Sequence, residues 1–118
     1  DRTLLHKKIE CRVDWMIANG WSEEVRELLK FYDPQCQALQ SIGYKQLIAH
    51  LQGGLLLDQT IAEIKQRTRA FARRQLTWFH ENHDIQWFDV SEKIGVKNEI
   101  AFLMQKTIED FLCRKLLS

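Results

Sequence analysis

Cysteine, proline and long apolar runs are all scarce in this chain, and each scarcity removes a class of protein. Cys11, Cys36 and Cys113 are odd in number, far apart and in no CxxC pair. That argues against a disulfide framework and against a zinc site, and it fits a reducing compartment. The longest apolar runs, such as GGLLL around Leu55, fall far short of the roughly 20 residues that span a bilayer, and no charged-then-apolar leader opens the chain. A soluble, cytoplasmic protein with no membrane contact is expected. Excess charge of either sign is lacking too. With 17 Lys and Arg against 16 Asp and Glu, bulk charge gives no sign of nucleic acid or membrane binding, so any electrostatic signal must come from local clustering. There is no internal repeat and no low-complexity tract. The chain begins at Asp1, without Met and inside a helical pattern, and is expected to be a piece of something longer.

What is present is enough for a core. At 118 residues and 45% hydrophobic, residues 1–118 are expected to form a single helical unit. Apolar residues at Leu5, Ile9, Val13, Met16 and Ile17 keep the helical period over 4–18, and Gly20 stands where a left-handed cap belongs. Ser22 is positioned to cap a second helix, with Glu23 and Glu24 at its positive end and Val25, Leu28, Leu29 and Tyr32 as its buried stripe. Pro34, the only proline, stops it by pushing Asp33 out of helical geometry. A loop then leads into a short third helix over 44–51, closed by Gly53 and Gly54. Asp58 is expected to cap a long fourth helix over 59–80, and a fifth covers 97–117 with Ile100, Leu103, Met104, Ile108, Phe111 and Leu112 inward. The sequence IQWFDV, at 85–90, is a short extended segment without a partner strand, which on its own cannot satisfy its backbone groups. The fold class is all-α, about five helices.

The fourth helix holds a conspicuous cluster. Lys65, Arg67, Arg69, Arg73 and Arg74 are five cations within ten residues and no acid lies among them. On a helical wheel Ile61, Ile64, Phe71, Ala72 and Phe79 share one face, bordered by Leu76 and Trp78, while the cations spread around the rest with the short residues Ala70 and Thr77 between them. Small residues flanked by arginines let a phosphate backbone approach while guanidinium groups reach around it. Pairing with acids of neighbouring helices is an equal reading of the same pattern.

Three further features stay open on the residues alone. Thr68 and Gln75 lie in the centre of the apolar stripe, where each needs a partner from nearby backbone or from a ligand. Arg12 falls on the wheel beside Leu5, Ile9 and Met16, away from Glu10 and Asp14. A cation on an inner edge needs an anion, either a buried carboxylate or a phosphate gripped through parallel hydrogen bonds. His80 and His83 supply only two candidate ligands, too few for a metal site, and none is assigned.

The blocks LLHKKIECRVDWMIANGWSEEVRELL, SIGYKQLIAHLQGG and IKQRTRAFARRQLTWF, followed by IQWFD, resemble the C-terminal part of the tRNA dimethylallyltransferase family, also called tRNA isopentenylpyrophosphate transferases. The likeness runs in order over about residues 2–89, and IGYKQ and ARRQLTWF carry most of it. It implies that the chain is the C-terminal helical part of a larger P-loop α/β enzyme. That enzyme transfers a dimethylallyl group from dimethylallyl diphosphate to the exocyclic amine of the adenosine 3′ to the tRNA anticodon, with Mg2+ and loss of pyrophosphate. The P-loop, the aspartate general base and the main Mg2+ site belong to the N-terminal half. No GxxxxGK[ST] pattern occurs here, so this chain alone is expected to be inactive. The full-length enzyme is expected to be a monomer.

Residue by residue, the resemblance implies that Arg12 holds the diphosphate and neutralises the charge that leaves with it. Gln40, Ser41, Ile42, Gly43, Tyr44 and Lys45 correspond to a loop that contacts tRNA. There Gly43 would allow close backbone approach, and Tyr44 and Lys45 would stack and bind phosphate. Arg73, Arg74, Gln75, Leu76, Thr77, Trp78, Phe79 and His80 correspond to a second tRNA-contacting segment, holding the anticodon stem-loop so that an unstacked base can enter. Related enzymes can carry arginine where Gln40 and His80 stand, which leaves the share of those two positions open. Two rival readings use the same residues: a free-standing helical RNA-binding adaptor, and a protein-interaction bundle with its basic face on an acidic partner.

Overall fold

A computed structural model describes residues 2–89 and 97–117 and contains five α-helices and one short 3-10 turn. In chain order they are α1 (Arg2–Ala18), α2 (Trp21–Leu28), the 3-10 turn (Gln37–Gln40), α3 (Tyr44–Leu51), α4 (Leu57–His80) and α5 (Lys97–Leu117). The all-α expectation holds. No strand occurs among the described residues; 85–89 of the extended segment are irregular, and Val90 lies outside them. The chain divides into two compact units, residues 1–82 and 83–118, where length and composition led to an expectation of one.

In the first unit, glycine punctuation sets the helix ends. Gly20 has φ +94° and ends α1 so tightly that α2 starts at the next residue. Ser22 is therefore buried inside α2 and does not cap it. At α4 the start moves in the same direction. The helix begins at Leu57, with the Gln59 side chain accepting the Leu56 N–H at 3.3 Å, and Asp58 sits in the first turn, where its charge suits the helix dipole.

The core collects Val13 of α1, Trp21 and Val25 of α2, Leu39 of the 3-10 turn, Leu47 and Ile48 of α3 and Ile64 of α4. Val25 and Leu47 are fully buried, so truncating Leu47 to Ala would cost about 2–5 kcal/mol. Thr60 is fully buried too, and its hydroxyl donates to the Leu56 carbonyl at 3.0 Å. α1 and α4 pack antiparallel, because Asp14 pairs with Lys65 while the earlier Glu10 pairs with the later Arg69.

The structure corrects four expectations about which face is inside. α1 turns Val13 to the core and Glu10 and Asp14 toward α4, which leaves Arg12 exposed. The helical-period stripe of α1 is buried at Val13 and half-buried at Leu5, Ile9, Met16 and Ile17, with Arg12 on one side of it and the α4-facing Glu10 and Asp14 on the other. On α4 the apolar face is buried at Ile64 but exposed at Phe71, Trp78 and Phe79. Tyr32 is exposed as well. In the second unit, Leu103, Met104, Ile108, Phe111 and Leu112 of α5 are exposed and Ile100 is half-buried.

Candidate nucleic-acid interface

The turn at 40–45 is built from local hydrogen bonds. Gln40 Nε2 donates to the Pro34 carbonyl at 2.8 Å, and Ser41 Oγ donates to the Ala38 carbonyl at 2.9 Å. The Gly43 N–H donates to Gln46 Oε1 at 2.8 Å, which settles one of the free donors at the start of α3. Gly43 has φ +96°, and a Cβ added there would lie 2.1 Å from the ring edge of Trp21. The close approach at Gly43 is therefore made by a tryptophan of α2. Ile42 is half-buried and Lys45 is exposed.

Tyr44 is held from two sides. Its ring meets that of Trp21 edge-on, with centroids 5.7 Å apart, and its Oη donates to Glu24 Oε1 at 2.6 Å. The hydrogen bond to the Glu24 carboxylate is the main reason that the phenol is pushed above its ordinary value of 10.0, with burial and the carboxylate's charge adding to it. The neighbouring Trp21 indole acts weakly in the other direction. Among the described residues Trp21 Nε1 is buried with no hydrogen-bond partner, so that proximity to the phenol is not a formed bond.

On α4 the cationic cluster divides in two. Lys65 Nζ lies 2.6 Å from Asp14 Oδ1, Arg69 Nη1 lies 2.6 Å from Glu10 Oε1, and Arg67 Nε lies 2.7 Å from Glu63 Oε1 one turn back. Lys65 and Arg69 follow the reading of pairing with acids of a neighbouring helix, and Arg67 pairs within α4 itself. Arg73 and Arg74 are exposed and form no ion pair with the described residues; the Arg74 guanidinium lies 5.9 Å from the Phe71 ring centroid. Thr68 is half-buried and its Oγ1 donates to the Ile64 carbonyl at 2.8 Å, so a neighbouring backbone group satisfies it. Gln75 is exposed and needs no such partner. Leu76 is half-buried, Thr77 Oγ1 donates to the Arg73 carbonyl at 3.1 Å, and Trp78 and Phe79 stack edge-on with centroids 4.9 Å apart. His80 is exposed at the last turn.

Arg12 lies between the two acids that α1 gives to α4, yet it is exposed and has no ion pair among the described residues. A guanidinium in that state can take an external anion without first breaking an internal pair. Different helix pairs hold the two proposed RNA segments: α2 anchors the 40–45 turn, and the α1–α4 ion pairs precede 73–80. Sequence reasoning missed Trp21 and the partner role of Glu24. The signal available for the first was a large aromatic placed directly after the Gly20 break; nothing local marks the second, since Glu24 and Tyr44 are 20 residues apart. No three His, Cys, Asp or Glu side chains gather among the described residues. None of the described helices is long and apolar enough to cross a membrane.

Fold and site together define an all-α unit with a short aromatic-braced turn and a cationic edge that forms no ion pair among the described residues. The family model described as IPP transferase matches residues 1–82, the span of the first compact unit. The tRNA dimethylallyltransferase of Geobacillus thermodenitrificans is 45% identical over 104 residues, covering 86% of this chain and 33% of that protein. That of Symbiobacterium thermophilum is 44% identical over 115 residues, covering 98% of this chain and 36% of that protein. The crystal structure of the full-length tRNA isopentenylpyrophosphate transferase from Bacillus halodurans superimposes with a TM-score of 0.84 at 33% identity, covering 93% of this chain and 37% of that one. The chain belongs to the tRNA dimethylallyltransferase family, and it spans about a third of the length of the curated relatives it matches.

Proposed function

We propose that this chain is the C-terminal helical portion of a tRNA-modifying prenyltransferase, and that it supplies tRNA contacts and one diphosphate-binding arginine. The complete enzyme moves a dimethylallyl group from dimethylallyl diphosphate to the exocyclic amine of the adenosine 3′ to the anticodon, releasing pyrophosphate. It works as a cytoplasmic monomer, and Mg2+ is held by the N-terminal P-loop half. Arg12 binds the diphosphate and stabilises the negative charge that builds on it as the C–O bond breaks. Arg73 and Arg74 hold backbone phosphates of the anticodon stem-loop, and Lys45 adds a phosphate contact from the turn.

The observation that carries this reading is the division of the α4 cluster. Acids neutralise Lys65, Arg67 and Arg69, while Arg73 and Arg74 stay exposed, with no ion pair among the described residues, in the segment that the resemblance assigns to tRNA. The test is tRNA binding by the complete enzyme with Arg73 and Arg74 both changed to Gln. Affinity should fall about equally for matched and mismatched anticodon loops. The slope of log affinity against log salt should become shallower by roughly one to two, the release of one or two counterions. Arg69→Gln, which removes an internally paired cation, should leave the slope unchanged. An unchanged slope in the Arg73, Arg74 double variant would refute the reading.

A further inference from the structure

Four of the six residues at 40–45 are tied to other parts of the same chain by hydrogen bonds that involve a side chain: through the Gln40 amide, the Ser41 hydroxyl, the Gly43 N–H and the Tyr44 phenol. The first three ties span three to six residues and shape the turn itself. The fourth is different. Tyr44 Oη reaches 20 residues back to Glu24 Oε1, at 2.6 Å, and so fixes the first residue of α3 to α2. Lys45, the next residue, is exposed; its N–H donates to the Ser41 carbonyl at 3.2 Å, while its side chain has no hydrogen bond or ion pair among the described residues, so its direction follows from how the start of α3 is held.

Glu24 is itself exposed, so it fills no core space, and as an anion next to an RNA-facing turn it would repel phosphate. The first turn of α2 suits a negative charge, which Glu23 also supplies, but only Glu24 reaches the Tyr44 hydroxyl. We infer that Glu24 is a positioning residue for the RNA substrate: through Tyr44 it sets the 40–45 turn and the direction of Lys45. The inference rests on the reading of that turn as a tRNA contact.

The experiment uses the complete enzyme and an anticodon stem-loop RNA, with KM, kcat and thermal midpoint measured for each variant. Glu24→Ala removes the acceptor from an exposed site, and Tyr44→Phe removes the donor. Each should raise KM for the RNA about threefold to tenfold, the scale of one charge-assisted hydrogen bond, with kcat and the KM for dimethylallyl diphosphate within about twofold of wild type. The double variant should be no worse than either single one, because both delete the same bond. Glu24→Gln keeps an acceptor oxygen and should stay within about twofold of wild type. Lys45→Ala separates the two levels of the argument. A raised RNA KM in Lys45→Ala with none in Glu24→Ala would overturn the positioning role and leave the tRNA reading standing. An unchanged RNA KM in Lys45→Ala as well would overturn the tRNA reading of the turn, and this inference with it. Additive effects in the double variant, or a fall of kcat in step with the thermal midpoint, would also overturn it.

Discussion

Replacing Gly43 by Ala tests whether this glycine serves packing or RNA approach. Gly43 sits at φ +96° and ψ −58°, where an L residue is strained by about 1–2 kcal/mol or more. The new Cβ would also lie 2.1 Å from Trp21 Cη2 and 2.3 Å from Cζ2, against a normal carbon contact of about 3.5–4 Å. Trp21 is only 7% exposed and is wedged against Tyr44, so it cannot simply swing into solvent. Overpacking of this kind adds about 1–3 kcal/mol, for a total of roughly 2–5 kcal/mol. A unit of this size has on the order of 4–12 kcal/mol of stability, so the variant should unfold at least about 10 °C earlier, read by circular dichroism. Trp21→Leu removes the clashing ring atoms, and in that background the cost of Gly43→Ala should shrink to the backbone strain of about 1–2 kcal/mol. A thermal midpoint within about 2 °C of wild type, joined to a loss of tRNA affinity, would refute the packing account and return Gly43 to a role in RNA approach.

Arg12→Ala in the complete enzyme should lower prenyl transfer by about two to three orders of magnitude, with weaker diphosphate binding and little change in thermal midpoint, because the side chain is exposed. Near wild-type turnover in a transfer assay would remove Arg12 from the diphosphate site. Tyr44→Phe should cost about 1 kcal/mol near pH 7 by chemical denaturation, the value of a partly exposed hydrogen bond to a charged acceptor. The Tyr44 phenol is raised in the fold, so its contribution is complete below pH 10.0 and is lost as pH rises through the higher folded value. The gap between wild type and variant should therefore close only in strong alkali; closure near neutrality would mean that another group is responsible. Purified chain alone, given tRNA, dimethylallyl diphosphate and Mg2+, should form no prenylated product by mass spectrometry.

What the sequence made legible follows from how local each determinant is. α3 and α5 begin and end where periodicity and flanking signals put them, and Gly20 and Gly53 take the positive φ that their positions suggested. Both capping residues were placed too late, because a left-handed glycine can hand one helix to the next without a polar cap and a Gln three residues on can serve the helix start instead. Faces were harder to read than ends. The wheel turned Arg12 inward because it stands at the edge of the apolar stripe of α1, whereas the contact with α4 is made from the other side, by two carboxylates whose partners lie 51 and 59 residues away. The same distance explains why the arginine cluster could not be divided from its own sequence. Within those ten residues all five cations look alike, and only the antiparallel docking of α1 places acids opposite Lys65 and Arg69. One turn past Arg69 the acids of α1 run out, since no Asp or Glu lies between Arg2 and Ile9. Lys7 and Lys8 occupy that stretch instead, so this part of α1 offers Arg73 and Arg74 no anion, and neither forms an ion pair with the described residues.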